Sequence, residues 1–301
     1  MNAVAQTTVD RPARAFVASL VVLFKLRVVA LLLLAAITGL MLAAGGRPAF
    51  SDLLLLIITG AMAAAGASAL NEYIEQGADA QMRRTRRRPL AVGAYARPWL
   101  VAAVAVGLVA GAMLVALAAG NLALMAFLGA GAFIYVVIYT VVLKPRTPLN
   151  IVLGGAAGSA AVLSGSAAAG NWADPGALLL AALVFVWTPT HFWSLSMVYR
   201  DDYVVTAIPM LPAVMPPARA AFWMLVHAAF TGGIALAMVI YESLGLIYLL
   251  PVAAATFYLL RESVRLVRDP RRERALRVFK GSNLYLAVVL LAACADALLH
   301  V

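Results

Sequence analysis

Apolar runs of about 20 residues, separated by short polar stretches, recur from one end of the chain to the other. Hydropathy reads nine of them, over Arg27–Ala44, Ser51–Asn71, Trp99–Ala119, Leu122–Leu143, Ile151–Gly170, Ala177–Tyr199, Ala220–Tyr241, Gly245–Leu260 and Asn283–His300. Each can cross a hydrocarbon core of about 30 Å as a helix, the eighth being the shortest. The runs are continuously apolar rather than alternating, which excludes a membrane β-barrel. Val17–Lys25 reads as a short interfacial helix ahead of the first span. Residues 1–16 read as a flexible N-terminal tail on the cytoplasmic side, with no apolar segment of signal-peptide type. The expected fold class is all-α, a polytopic membrane protein of about nine transmembrane helices, with 17–301 as one transmembrane domain.

Composition agrees. Of 301 residues, 64% are hydrophobic and 12% charged, about half the charge of an ordinary soluble domain. The basic residues then orient the spans. With nine crossings, 22 of the 23 Lys and Arg residues fall on one side and only Arg47 on the other. That side is expected to be cytoplasmic. The net charge of +10 follows from the same bias and faces anionic lipid; no nucleic-acid-binding motif accompanies it. The one cysteine, Cys294, lies in an apolar run, which excludes a disulfide framework and a zinc–thiolate site. Small residues are dense in Ala61–Ala69 and Gly154–Gly165, which suits close helix–helix approach.

Only 13 residues are acidic, so their placement carries information: an ionisable group at membrane depth costs at least about 2.5 kcal/mol. Glu72, Glu75 and Asp79 cluster beside Asn71 at the cytoplasmic end of span two, and Asp201 and Asp202 end span six on the same side. Asn71, Glu75 and Asp79 are spaced i, i+4, i+8, which puts three oxygen-bearing side chains on one helix face, about 6 Å per step. Hard divalent cations such as Mg²⁺ take such ligands and bind substrate phosphates as well. The run Met82 to Pro89, with Arg83, Arg84, Arg86, Arg87 and Arg88, follows immediately. Guanidinium groups beside a carboxylate–metal site are what a diphosphate requires. Lys144, closing span four, is either a third cation for that diphosphate or a snorkelling anchor. A solvated loop with stop-transfer charges is the bland reading of the arginine run, and the second acidic cluster on the same side weighs against it.

The segment Asn71 to Leu90, with Glu75, Asp79, Met82, Arg84, Thr85, Arg88 and Pro89, resembles the first aspartate-rich motif of the intramembrane aromatic prenyltransferases, the UbiA superfamily. A second string is similar to the branch of that family that farnesylates protohaem IX: Trp187, Pro189, His191, Phe192, Trp193, Tyr199, Asp202 and Tyr203, then Ile208 to Pro212. Tyr139, Thr140, Leu143, Lys144, Asn150 to Val152, Gly154, Gly155, Gly158, Phe279, Ser282, Tyr285 and Leu286 fit the same branch. The resemblance extends from Phe24 to Asp296. Three departures stand out: Glu75 where the family has aspartate, Leu26 where it has the proline of Lys-Pro-Arg, and Ala161–Ser166 in place of Pro-Pro-Leu-x-Gly-Trp.

The resemblance implies helices bundled around a central cavity open toward the cytoplasmic side. It implies a Mg²⁺-dependent prenyltransferase of the cell inner membrane, N-terminus cytoplasmic, that moves a farnesyl group from farnesyl diphosphate to a vinyl group of haem b, giving haem O for haem–copper oxidases. Carried over by position, Asn71, Glu75 and Asp79 would hold one Mg²⁺ and Asp202 with Asp201 another, while Arg84, Arg88 and Lys144 would bind the diphosphate. His191, Trp193 and Tyr199 would face the haem, with Trp187 and Phe192 nearby; His191 is either an iron ligand or a packing histidine, and His227 and His300 are packing residues. The expected partners are farnesyl diphosphate, haem b and the lipid bilayer, with haem A synthase or oxidase assembly factors as candidate protein neighbours and no nucleic acid. Two alternatives stay open. One is a prenyltransferase of the same fold acting on another aromatic or quinone-precursor acceptor; the span-six string, where Asp202 is followed by Tyr203, is the discriminator. The other is a transporter or haem-binding membrane protein without chemistry. Charges gathered at one face of the bilayer rather than its midplane disfavour it.

Overall fold

A computed structural model of the chain describes residues 18–240 and 244–299. The expected tail 1–16, Val17, Tyr241 and His300 lie outside the described residues. Twelve helices follow one another: α1 (18–23), α2 (Leu26–Ala43), α3 (Phe50–Gln81), α4 (Pro98–Ala118), α5 (Leu122–Leu143), α6 (Asn150–Ala168), α7 (Pro175–Val198), α8 (Arg200–Val205), α9 (Leu211–Val214), α10 (Pro217–Ile240), α11 (Leu246–Arg268) and α12 (Arg272–Leu299). Among the described residues nine of these, all but α1, α8 and α9, are long and apolar enough to cross a membrane. Their outer faces leave Leu114, Phe230, Phe257 and Leu284 largely exposed, a surface stable only against lipid.

Each spanning helix packs on the next in sequence, and α12 returns to α2, so the nine close into a ring; α2 also lies on α6, and α7 on α12. The small residues make the α2–α6 approach possible. A Cβ on Gly165 would lie 1.7 Å from the Ala36 carbonyl oxygen, and one on Gly39 2.3 Å from that of Val162. The backbones touch there, as the density of small residues predicts.

The helix ends differ from the hydropathy reading. Span two does not stop at Asn71, because α3 continues to Gln81; span eight does not stop at Leu260, and span nine does not wait until Asn283. The basic stretch after span eight is therefore mostly helix, with 269–271 as its turn. Hydropathy registers only the slice of helix inside hydrocarbon, whereas backbone hydrogen bonds continue into water wherever polar side chains line the outer turns. Here the Arg265–Glu262 pair at 2.7 Å and the pairing of Asp269 with Arg271 and Arg274 at 2.8 and 2.9 Å hold those turns.

The last ten residues of α5, Ile134–Leu143, are wound as a π-helix. The Lys144 amide donates to the Tyr139 carbonyl at 2.8 Å, five residues back. This winding aligns Thr140 and Lys144 toward α3, where they bond to Asn71 and Glu75, and the Tyr135 hydroxyl meets Lys25.

Candidate active site at the arginine-rich end of the bundle

The extra turns of α3 carry the acidic motif. Asn71 and Asp79 are buried and the Glu75 side chain is 11% exposed. Asn71 donates from Nδ2 to Thr140 Oγ1 at 3.0 Å and accepts at Oδ1 from Lys25 Nζ at 2.5 Å. Glu75 is ion-paired with Lys144. Asp79 Oδ2 lies 2.6 Å from Arg88 Nη1. The three groups do share one helix face, as their spacing predicts, and each meets a different cation.

The second acidic motif joins it through the arginine run. The Arg84 amide donates to Asp202 Oδ2 at 3.0 Å, the Arg84 guanidinium lies over the Tyr199 ring at 5.9 Å, and its Nη2 is 3.5 Å from the Tyr203 hydroxyl. Four residues on, Arg88 meets Asp79, while Thr85 Oγ1 donates to the Asp79 carbonyl at 3.1 Å. The run sorts its own cations: Arg84 and Arg88 turn inward, whereas Arg83, Arg86 and Arg87 are exposed. Burial alone would lower the Arg88 pKa, but the adjacent Asp79 carboxylate and its hydrogen bond more than offset this, and the net shift is upward. Glu72, fully buried, accepts at Oε1 from the Leu90 amide at 3.3 Å and so anchors the end of the run.

Asp201 does not join this cluster. It is exposed, with no hydrogen bond or ion pair among the described residues, whereas Asp202 is buried. Consecutive helical residues point about 100° apart, and α8 turns Asp202 inward. The remaining donors, Asn71, Glu75, Asp79 and Asp202, are the hard oxygen ligands that Mg²⁺ takes. Among the described residues no three acidic, histidine or cysteine side chains form a ready metal cluster; each donor is engaged by a group of the chain instead.

Lys25, the lysine of the string that is Lys-Pro-Arg in the family, is not among the expected site residues, yet it reaches the site. It stands at the turn between α1 and α2 with left-handed backbone angles, φ 48 and ψ 48, a conformation costing a non-glycine residue about 1–3 kcal/mol. That turn carries its ammonium to Asn71 and to the Tyr135 hydroxyl at 3.2 Å.

His191 lies about 12 Å deeper along α7 than Tyr199, at 1.5 Å per residue. Its ring stacks on Trp187 at 4.4 Å and lies tilted against Phe279 of α12 at 4.7 Å. Its Nδ1 is 2.9 Å from Ser282 Oγ, whose single proton goes to the Phe279 carbonyl at 2.8 Å. His191 therefore donates from Nδ1, and Nε2 is left a bare acceptor with no hydrogen-bond partner among the described residues. The other tautomer would set the Nδ1 lone pair against those of Ser282 Oγ. Trp187 Nε1 donates to the Ser282 carbonyl at 2.9 Å, so Ser282 holds both rings.

Trp193 and Tyr199 do not share this setting. Trp193, two residues beyond His191 and so about 200° around the helix, packs edge-on against His227 at 5.3 Å. Tyr199 sits under Arg84. Helix phase splits the three residues, and Trp187, four before His191, takes the place expected for Trp193. Phe279 and Ser282 belong to the string Phe279 to Leu286 that fits the family branch, without a role expected for either.

A ring of membrane-spanning helices brings carboxylates and guanidinium groups together at one end, a charge pattern suited to an anionic ligand. Residues 32–289 match the UbiA prenyltransferase family, and the chain belongs to it. It is a multi-pass membrane prenyltransferase. The protein called protoheme IX farnesyltransferase 2 of Paramagnetospirillum magneticum is 38% identical over 278 residues, 92% of this chain and 96% of that one. Protoheme IX farnesyltransferase of Metallosphaera sedula is 39% identical over 270 residues, 89% of this chain and 92% of that one. Among solved structures, one concerned with digeranylgeranylglyceryl phosphate synthase has a TM-score of 0.77 at 15% identity, covering 94% of this chain and 98% of that one. A UbiA homolog from Archaeoglobus fulgidus bound to GPP and Mg²⁺ has a TM-score of 0.61 at 16% identity, covering 91% and 99%. At these identities the likeness is one of fold.

Proposed function

We propose that the protein transfers the farnesyl group of farnesyl diphosphate to a vinyl group of haem b, giving haem O. The observation that carries this reading is the joining of the two acidic motifs through Arg84 and Arg88, supported by the names of relatives at 38–39% identity. Asn71, Glu75 and Asp79 would hold one Mg²⁺ and Asp202 a second; bound there, Mg²⁺ supplies positive charge to the diphosphate as it leaves. Arg84, Arg88 and Lys144 bind the non-bridging oxygens. The bond between farnesyl C1 and the diphosphate oxygen breaks, leaving an allylic cation. The terminal vinyl carbon bonds to C1, charge passes to the carbon beside the porphyrin ring, and water adds there with loss of a proton. No covalent protein nucleophile is required, and the apolar bundle keeps water from the cation until the new bond has formed. On the haem side, His191 Nε2 is the candidate iron ligand, oriented through Nδ1 by Ser282. The arginine-rich end faces the cytoplasm of a cell whose inner membrane holds the protein.

The test incubates purified protein in detergent with haem b, farnesyl diphosphate and Mg²⁺ and seeks farnesylated haem by mass spectrometry. Chelator-sensitive haem O is the expected product. Diphosphate release with an aromatic acceptor and none with haem moves the protein to another branch of the family.

A further inference from the structure

The last two helices leave a narrow slot between them on the outer surface of the bundle. Pro251, Ala254 and Tyr258 of α11 form one wall and Gly281, Leu284 and Val288 of α12 the other, around a space of about 290 Å³. On each helix the wall residues are spaced i, i+3, i+7, a single stripe. The slot opens outward, for Leu284 is 60% exposed and Tyr258 38%. Gly281 lets the Tyr258 ring lie against α12, since a Cβ there would stand 3.0 Å from it. At 1.5 Å per residue each stripe is about 10 Å long and begins about 15 Å from the 269–271 turn, within the apolar part of both helices.

The cations at this end fall into two sets. Arg265 is paired with Glu262, and Arg271 and Arg274 with Asp269. Arg261, Arg268, Arg277 and Lys280 are exposed and have no ion pair among the described residues. Three of these four border the slot: Arg261 is three residues past Tyr258, Arg277 four before Gly281, and Lys280 next to it. Glu273, one helical turn nearer the end than Arg277, is exposed and makes no ion pair with it. An anchoring charge can stand anywhere on the rim of the bundle. Three unpaired ones at the mouth of one apolar slot match a molecule with a chain and a negative head.

We propose that the slot between α11 and α12 binds an anionic phospholipid. One acyl chain lies in the slot, Arg261, Arg277 and Lys280 hold the phosphate, and the Tyr258 hydroxyl donates to the head. Lysine and arginine stems reach along apolar surface to carry their charge to such a head, and basic pockets between transmembrane helices take anionic headgroups. A volume of about 290 Å³ is at the low end for a compact ligand and suits a single chain rather than a flat macrocycle. The inner side of α12 carries Phe279 and Ser282, which contact His191. The lipid therefore packs against the outer side of the helix whose inner side orients that ring.

The experiment is native mass spectrometry of the full chain in detergent, titrated with phosphatidylglycerol and with phosphatidylcholine of the same acyl chains. The unaltered protein should hold phosphatidylglycerol about tenfold more tightly; equal retention makes the slot ordinary lipid contact and overturns the proposal. Arg261→Gln, Arg277→Gln and Lys280→Gln together should abolish that preference and leave phosphatidylcholine unchanged. Ala254→Phe, which grows into the slot from its exposed edge, should weaken both lipids about tenfold. Arg271→Gln with Arg274→Gln removes charges already paired with Asp269 and should change neither affinity. A preference that survives the triple variant, or is lost as fully in the Asp269-paired one, places the selectivity in general surface charge and overturns the site. Displacement of the lipid by inorganic phosphate would mean that the head alone is recognised, against the chain in the slot. A dimer that forms without lipid and that Ala254→Phe disrupts would mean that a second copy of the chain fills the slot instead.

Discussion

At the arginine-rich end each buried carboxylate of the motif faces a cation or an amide, whereas about 12 Å deeper the setting around His191 contains no charge at all. There the groups are an indole, a phenyl ring, a serine hydroxyl and an imidazole that donates at one nitrogen only. The difference follows from the solvent. Near the membrane surface an ion pair can open and re-form with water to relieve it. Inside hydrocarbon an opened pair is very costly. A site there is built from neutral groups whose hydrogen bonds fix one orientation and leave one lone pair unused.

The largest effect expected is at the charged end. Asp79→Asn keeps a hydrogen-bond acceptor for Arg88 but removes the charge that pairs with the guanidinium and that the proposed Mg²⁺ would use. Haem O formation should fall about 10³-fold at equal membrane abundance, read by mass spectrometry. Activity within tenfold of the unaltered protein would place the chemistry elsewhere.

The neutral region should respond more mildly and in another observable. Ser282→Ala frees the His191 ring to change tautomer and tilt, so haem affinity should fall about 10- to 100-fold with a shifted Soret band. Ser282→Thr, which keeps the hydroxyl, should restore both, and His191→Ala should abolish the shift. An unchanged spectrum in His191→Ala would leave the histidine as packing between Trp187 and Phe279. Trp193→Phe sharpens the contrast: it conserves most of the volume on the far face of α7, and its cost should stay under about 1.5 kcal/mol with the haem spectrum unaltered.

How much of this the sequence carries differs between the regions for physical reasons. Lipid admits only long apolar helices, so all nine spans are legible by hydropathy, and the i, i+4, i+8 spacing of Asn71, Glu75 and Asp79 is enough to place them on one helix face. The spans' ends are not legible, because α3, α11 and α12 run on into water where no apolar signal exists. Nor is the sorting of the arginines, since the irregular turns after Gln81 have no fixed period. The π-helical winding of Ile134–Leu143 is invisible in a uniformly apolar run. Lys25 is missed because it reaches the site through a left-handed turn rather than through the motif. The expected haem set is split by helix phase: His191 and Trp193 are too close in sequence to share a face.

The smallest effect expected is the sharpest test of which groups make up the charged end. Asp201 and Asp202 are adjacent and chemically identical, and only their burial separates them. Asp202→Asn retains an oxygen to accept the Arg84 amide, so the arginine run should stay in place while the charge is lost, and turnover should fall by about 10²-fold or more. Asp201→Asn changes an exposed side chain with no partner among the described residues, a class of substitution worth about 0.5 kcal/mol or less. Its turnover should stay within about twofold, measured in the same haem O assay over a range of Mg²⁺ concentrations. A loss in Asp201→Asn that added Mg²⁺ repairs would mean that α8 turns during the reaction and lends its outer carboxylate to the metal. A flat response confines the second metal ligand to Asp202, facing Arg84 across the seam between the two motifs.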